Sequence, residues 1–184
     1  MNQRFTPLDT RRLGRGVTLV ETAVVLSVAA ILVGLAIPSF EQARQRRHLE
    51  GAAQLFETDV QHARSLAVAR QQTVRMSFDA ADGAGCYVVH TGAANACTCA
   101  ADGTAVCSAG AEALRVAPGS GSHAPTLRAN VRSIAFDAVR GTVTPTATVR
   151  LVAPGGEAIH QIVNVMGRVR SCSPAPAVPG YPAC

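Results

Sequence analysis

The chain has 184 residues, with 17 basic and 12 acidic side chains and a formal net charge of +5. All the basic residues are arginine, which excludes Schiff-base enzymes, P-loop nucleotidases and kinases, because each needs a lysine. The only aromatic residues are five Phe and two Tyr, too few for a row of base-stacking platforms, which argues against a stacking single-strand binder.

The N-terminal part combines a basic segment with a long apolar one. Residues 1–16 carry four arginines and one aspartate, and residues 17–37 contain a single charge, Glu21. At ~1.5 Å per residue the apolar run is roughly 31 Å of helix, enough to span a bilayer. A secretory signal peptide is the alternative, but it has a shorter apolar region and a small-residue cleavage site, where this chain has Pro38. A carboxylate within hydrocarbon costs ~2.5 kcal/mol or more, so Glu21 indicates a function and needs a partner.

The boundary between these segments, Gly16-Val17-Thr18-Leu19-Val20-Glu21, resembles the prepilin cleavage motif of type IV pilins and type II secretion pseudopilins. The resemblance implies cleavage after Gly16 by the prepilin peptidase and N-methylation of Val17, where the family most often has Phe. It also implies that Glu21 neutralises an N-terminal amine in the assembling filament. Pro38 matches the helix-kinking proline of the family.

Apolar residues continue at spacings of three and four beyond Pro38, which predicts one helix over residues 18–70 with an amphipathic second half. The predicted apolar face comprises Phe40, Ala43, Leu49, Ala52, Ala53, Phe56, Val60, Ala63, Leu66 and Ala67.

Beyond Gln72 the apolar period changes to two, which is typical of strands. Residues 74–78 and 86–90 flank an acidic, glycine-containing turn over 79–85 and predict a hairpin. Further strands are predicted over 113–117, 131–136, 146–152 and 158–166. The predicted fold is therefore α+β: a long N-terminal helix, transmembrane and then amphipathic, packed on an antiparallel sheet of about six strands.

This order of elements resembles the pilin fold, and more narrowly the FimT/GspH family of minor pilins and pseudopilins. Residues 134–141, IAFDAVRG, resemble the apolar-Phe-Asp-x-x-Gly turn of that family. The sequence thus divides into a leader over 1–16, a transmembrane and filament-core helix over 17–37, an amphipathic continuation over 38–70, and a globular β domain over 71–184.

Six cysteines lie in the predicted globular domain, and their number and density favour disulfides in an exported protein over a zinc site. The central four lack the paired C-x2-4-C spacing of zinc knuckles, and we expect no metal and no cofactor. Cys172 and Cys184 are expected to close a proline-rich terminal segment. Three pairings remain open for the other four, which are Cys86, Cys97, Cys99 and Cys107.

The basic charge is concentrated near the carboxyl end. Residues 113–184 contain seven arginines and two acids, whereas residues 38–112 contain six arginines and eight acids. Gly167-Arg168-Val169-Arg170 places two arginines at i and i+2, so on an extended chain both project from one face. Each guanidinium can bind a phosphate with two hydrogen bonds, and Gly167 permits close backbone approach. The alternative is that alternating arginines keep an edge strand soluble.

The motif G-R-x-R near the carboxyl end resembles the DNA-binding signature of FimT-type pilins in natural transformation, and the FimT type is therefore favoured. The resemblance implies a minor pilin that binds extracellular DNA through Gly167, Arg168 and Arg170. GspH-type pseudopilins share the fold without that role and are the alternative, as priming or structural subunits of a filament. The implied partners are DNA, other pilins and the prepilin peptidase. The implied location is the inner membrane, with the C-terminal domain in the periplasm, and then the pilus. No catalytic motif is recognisable, so we expect no enzymatic activity.

Overall fold

The computed structural model describes residues 16–79, 85–100, 102–117, 124–175 and 177–184, and it describes no side chains for residues 35–39. Most of the predicted leader, the side chain of Pro38 and the centre of the predicted turn over 79–85 lie outside the described residues. The chain divides into two compact units, Met1–Phe40 and Glu41–Cys184.

One long helix, α1, runs over Leu19–Arg70 and agrees with the predicted helix to within one residue. Its first turn is capped by Thr18, whose hydroxyl oxygen accepts a hydrogen bond from the backbone N–H of Glu21 at 3.2 Å. The spacing T-x-x-E is that of a capping box, which gives Glu21 a local structural context beside its predicted filament role. Along the described residues, no helix is both long enough and apolar enough to cross a membrane, so the predicted span over 17–37 is not confirmed.

Eleven strands follow α1 within the described residues, against about six predicted. In chain order they are β1 (Val74–Asp79), β2 (Cys86–Thr91), β3 (Cys97–Cys99), β4 (Ala105–Cys107), β5 (Ala113–Ala117), β6 (Thr126–Ala129), β7 (Ser133–Phe136), β8 (Val143–Thr144), β9 (Ala147–Val152), β10 (Ala158–Val163) and β11 (Val169–Cys172). All their ladders are antiparallel. The predicted hairpin is confirmed, since β1 pairs with β2 in full register.

The strands form two main sheets and one small hairpin. The five-stranded sheet has the order β5-β2-β1-β7-β8, the four-stranded sheet has the order β11-β10-β9-β6, and β3 pairs with β4. In the four-stranded sheet, buried residues such as Val149, Leu151 and Ile159 alternate with more exposed ones such as Arg150. One face of this sheet therefore packs on the core and the other faces solvent.

The core of the second unit lies between α1 and the sheets. Leu49, Ala53, Phe56, Val60, Ala63 and Ala67 form the buried stripe of the helix. Phe40 is 70% exposed and Ala43 is exposed as well, so the predicted apolar face was too long at its N-terminal end. The buried residues of α1 begin at Leu49. Before that point the helix contacts the β domain through polar side chains, as in the ion pair of Arg46 with Glu157.

A buried polar cluster connects α1 to the five-stranded sheet. Asp59 is 2% exposed and accepts a hydrogen bond from the hydroxyl of Tyr87 at 2.7 Å. Arg115 on β5 forms an ion pair with the same carboxylate. Burial and the hydrogen bond to Asp59 raise the pKa of Tyr87 well above its usual value. The cluster leaves none of its charges buried alone, as a stable core requires.

All six cysteines form disulfides, as predicted, and the bonds join Cys86 to Cys99, Cys97 to Cys107, and Cys172 to Cys184. The last is the expected closure of the terminal segment, and the first two select one of the three pairings that the sequence left open. The second unit holds its own hydrophobic core and all three disulfides, so residues 41–184 meet the physical requirements of an independently folding domain.

Candidate nucleic-acid interface

The predicted G-R-x-R motif lies at the turn between β10 and β11. The backbone N–H of Gly167 donates to the carbonyl oxygen of Asn164 at 2.9 Å and closes the turn. The Asn164 side-chain oxygen accepts from the N–H groups of Met166 and Arg168, each at 3.0 Å. Gly167 has φ 72°, a left-handed conformation that favours glycine. These hydrogen bonds therefore fix the backbone conformation of the turn up to Arg168.

Two side chains of helix α1 contact the same turn. The side-chain amide of Gln61 donates to the carbonyl oxygen of Gly167 at 2.9 Å. The side chain of Arg64 lies against Gly167, because a Cβ added there would lie 3.1 Å from Cδ of Arg64. The glycine thus has two functions in the turn, a left-handed backbone and room for an arginine of the helix.

The two motif arginines are exposed, and Val169 between them packs against the core cluster. The inward and outward alternation predicted from the sequence is therefore present from Arg168 to Arg170, and it ends before Cys172, which is buried. β11 forms the edge of the four-stranded sheet, and Arg170 is the cross-strand partner of Ile162 on β10. Arg168 and Arg170 thus present two guanidinium groups on the solvent side of one short segment.

A second arginine-bearing loop lies next to this turn. The backbone N–H of Val143 donates to the carbonyl oxygen of Val165 at 2.8 Å, which joins the segment after Gly141 to the β10–β11 turn. A Cβ on Gly141 would meet the Arg64 side chain at 3.0 Å. Arg64 therefore lies against both glycine loops, and the exposed Arg140 precedes Gly141.

Asp137 shapes this second loop through hydrogen bonds to its backbone. Its carboxylate oxygen accepts from the backbone N–H of Arg140 at 2.7 Å and from that of Val139 at 3.1 Å. These two hydrogen bonds, that of Arg140 first, lower the pKa of Asp137. Asp137 therefore acts as a turn-stabilising residue, and it is the aspartate of the IAFDAVRG segment.

The ion pairs of the described residues leave the arginines of this region without carboxylates. They join Arg46 to Glu157, Arg70 to Glu112, and Arg115 to Asp59. None of them involves Arg64, Arg140, Arg168 or Arg170. The positive charges of Arg64 on α1 and of Arg140 and Arg168 on the two loops therefore lie around the turn. This concentration of positive charge attracts anions.

The other basic residues of the carboxyl half lie in two places. Arg128 and Arg150 are exposed on the four-stranded sheet, whose edge strand carries Arg170. Arg132 lies elsewhere, beside the five-stranded sheet, where its carbonyl oxygen accepts from the N–H of Phe78. The structure thus brings Arg140 close to the motif and separates Arg132 from it.

The described residues hold one buried serine–histidine contact and one group of potential metal ligands. Ser77 Oγ lies 2.7 Å from Nε2 of His90, whose Nδ1 lies 2.8 Å from the carbonyl oxygen of Thr91. His90 is fully buried with both ring nitrogens satisfied, so it functions as a core cross-link between β1 and β2. The possible metal ligands are His160, Cys172 and Cys184. The two sulfurs are bonded to each other and cannot act as thiolates.

The predicted processing and assembly residues lie at the start of α1. Gly16 and Val17 precede the helix and are exposed, and Glu21 is exposed in the first turn. Their roles in cleavage and assembly stay predictions. Sequence reasoning missed Gln61, Arg64 and Asn164. Of these, only Asn164 had a local signal, an asparagine three residues before a glycine.

Comparisons with known proteins agree with this architecture. The family model described as type II transport protein GspH matches residues 52–167. Two crystal structures of the Pseudomonas aeruginosa (strain PAO1) type IV minor pilin FimU have the same fold. The first, in space group P65, has TM-score 0.50 at 19% identity and covers 69% of this chain and 98% of FimU. The second, in space group P21, has TM-score 0.50 at 20% identity and covers 71% and 95%. No curated protein matches the chain.

The family match extends from the buried half of α1 to Gly167, and the helix-on-sheet fold is that of a minor pilin. This confirms the predicted α+β pilin fold, which is a fold of structural filament subunits. The chain therefore belongs to the GspH family and is a type IV pilin-like minor pilin or pseudopilin.

Proposed function

We propose that this protein is a FimT-type minor pilin that binds extracellular DNA through Arg168 and Arg170 for uptake in natural transformation. The observation that carries the proposal is the turn before β11. This turn and the start of β11 present two exposed arginines without carboxylate partners, one on either side of the inward-facing Val169. An arginine that only keeps an edge soluble does not need the fixed turn formed by Asn164, Gln61 and Gly167.

Binding of this kind recognises the phosphate backbone. A guanidinium binds a phosphate with two hydrogen bonds, and phosphate contacts position a protein without reading sequence. The affinity should be independent of base sequence, modest for a single subunit and strongly dependent on salt. Arg64 and Arg140 add to the positive potential at the same turn.

The same proposal includes processing and assembly. The prepilin peptidase would cleave after Gly16, and Val17 would become the methylated N-terminus. Glu21 would neutralise such an N-terminus in the filament, and Pro38 would kink the helix. Residues 17–37 would anchor the protein in the inner membrane before assembly, with the C-terminal domain in the periplasm.

A structural pseudopilin of type II secretion is the second candidate. The observation that favours it is the family match itself, whose description is a type II transport protein. This candidate shares the processing and assembly residues, so mutating Glu21 does not separate the two. DNA binding does.

The test is a fluorescence-anisotropy titration of a labelled 20-base-pair duplex with residues 41–184, oxidised and shown to be folded by circular dichroism. The variant Arg168→Gln/Arg170→Gln removes both motif guanidinium groups. The control variant Arg44→Gln/Arg47→Gln removes the same charge from exposed positions on α1. Binding lost in the first variant and kept in the second supports a DNA receptor. Absence of binding by the unmodified domain at low salt supports the pseudopilin.

A further inference from the structure

The solvent face of the four-stranded sheet carries further arginines in register. Arg128 on β6 is the direct cross-strand partner of Arg150 on β9, and Arg150 is the partner of His160 on β10. Both arginines are exposed, whereas the adjacent Leu127 and Leu151 are buried in the core. The two guanidinium groups therefore project side by side from the same face.

This arrangement is unfavourable for the protein alone. Like charges at directly opposed positions of an antiparallel pair destabilise a sheet. β6, β9, β10 and β11 contain no Asp or Glu, and no ion pair among the described residues involves Arg128 or Arg150. Burial and the positive charge of Arg150 lower the pKa of His160, because both disfavour a protonated, positively charged imidazole at this position. An external anion bound to this face would reduce the repulsion between Arg128 and Arg150.

Arg170 belongs to the same face. Its partner on β10 is Ile162, whose own partner on β9 is Thr148, two residues before Arg150. Neighbouring strands lie ~4.8 Å apart, so β6 and β11 are about 14 Å apart, and two residues along a strand add ~7 Å. The line from Arg128 to Arg170 is thus about 16 Å long. One strand of duplex DNA has a phosphate every ~3.4 Å along the helix axis, so this line is about five phosphates long.

We infer that Arg128 and Arg150 extend the site at Arg168 and Arg170 into a phosphate-binding track on the solvent face of the four-stranded sheet, and that its ligand is double-stranded DNA. The inference rests on the proposed function. The four strands contain no Phe, Tyr or Trp, so the face lacks the row of large aromatic rings on which unstacked bases bind. A duplex supplies two dense rows of phosphates without any base contact.

The test compares three double variants of residues 41–184 on a 20-base-pair duplex between 50 and 200 mM salt. The variants are Arg128→Gln/Arg150→Gln, Arg168→Gln/Arg170→Gln and the control Arg44→Gln/Arg47→Gln. Four phosphate contacts give a slope of log K against log salt of about −3.6, a loss of affinity of about 150-fold over this range. Two contacts give about −1.8, a loss of about 12-fold. We expect the shallower slope for each of the first two variants, since each removes two of the four contacts, and the full slope for the control.

Thermal unfolding distinguishes loss of the site from loss of the fold. Because Arg128→Gln/Arg150→Gln removes a like-charge pair, its Tm should rise by about 1–3 °C at low salt. A single-stranded 20-mer of the same sequence should bind more weakly than the duplex at every salt concentration.

The outcomes separate the two claims. An unchanged slope and affinity in Arg128→Gln/Arg150→Gln, with binding lost in Arg168→Gln/Arg170→Gln, would overturn the track and leave the proposed function standing. Unchanged binding in Arg168→Gln/Arg170→Gln would overturn the proposed function. Equal or tighter binding of the single strand would overturn the assignment of a duplex ligand.

Discussion

The turn residue Gly167 offers a measurable link between local backbone strain and DNA binding. In Gly167→Ala the new side chain would sit at φ 72°, which costs roughly 1–2 kcal/mol for an L-residue. Its Cβ would lie 3.1 Å from Cδ of Arg64, a flexible side chain that can move aside. The lost flexibility of the unfolded chain returns ~0.4–1 kcal/mol, so we expect a net loss of about 1 kcal/mol and a Tm lower by about 2–4 °C.

The effect on binding follows from the same strain. If the substituted turn relaxes in the free protein, DNA must restore it, and about 1 kcal/mol of restoring free energy lowers the affinity about fivefold. Gly156→Ala is the matched control, since Gly156 has φ 86° in the turn between β9 and β10 and a Cβ there would meet nothing within 4 Å. Differential scanning fluorimetry should show the same loss of Tm in both variants, and anisotropy should show weaker binding only in Gly167→Ala. Equal affinities in the two variants would refute the role of the turn in positioning Arg168.

Two further predictions concern stability. Tyr87→Phe removes a buried hydrogen bond to the carboxylate of Asp59 and should cost about 2 kcal/mol, or roughly 4–8 °C in Tm. Because the fold raises the pKa of Tyr87, the stability that its hydroxyl contributes is complete below pH ~10 and is lost as the pH rises above that value. The Tm difference between the unmodified domain and Tyr87→Phe should therefore narrow only above pH ~10. A Tm difference that narrows on acidification would contradict this pH dependence. Cys172→Ser/Cys184→Ser opens a loop between cysteines 12 residues apart, which should cost about 3 kcal/mol and make the terminal segment sensitive to limited proteolysis. A Tm within 2 °C of the unmodified domain would show that this disulfide contributes little.

The elements that the sequence predicted well have long, regular patterns. The helix bounds agree to within one residue, and β5 coincides with the predicted strand over 113–117. The strands β3, β4, β6, β8 and β11 have two to four residues each and were missed. Elements so short have no detectable period of their own, because their pairing partners and, for β3 and β4, two disulfides determine them.

The candidate site divides in the same way. The alternation of Arg168, Val169 and Arg170 is a property of three consecutive residues, and the sequence predicted it. Gln61 and Arg64 lie about a hundred residues earlier in the chain, and only the packing of α1 against the β10–β11 turn brings them to Gly167. The opposed positions of Arg128 and Arg150 likewise depend on strand register, which the sequence did not specify.

The distribution of the arginines over the fold is more informative about binding than the net charge of the chain. Of the seven arginines after residue 112, one is paired with buried Asp59, and two lie opposite each other on a sheet face without acids. Function therefore depends on which arginines lack carboxylate partners and share a surface, rather than on the excess of arginine in the carboxyl half.

The most direct test of DNA binding at the turn is a two-dimensional NMR titration of ¹⁵N-labelled residues 41–184 with a 12-base-pair duplex. We expect the amide signals of residues 164–170 and the Nε signals of Arg168 and Arg170 to shift and saturate together. The signals of Arg44 and of the β3–β4 hairpin should stay in place. Saturable shifts confined to those distant residues, or a spectrum that does not change at low salt, would contradict DNA binding through this turn.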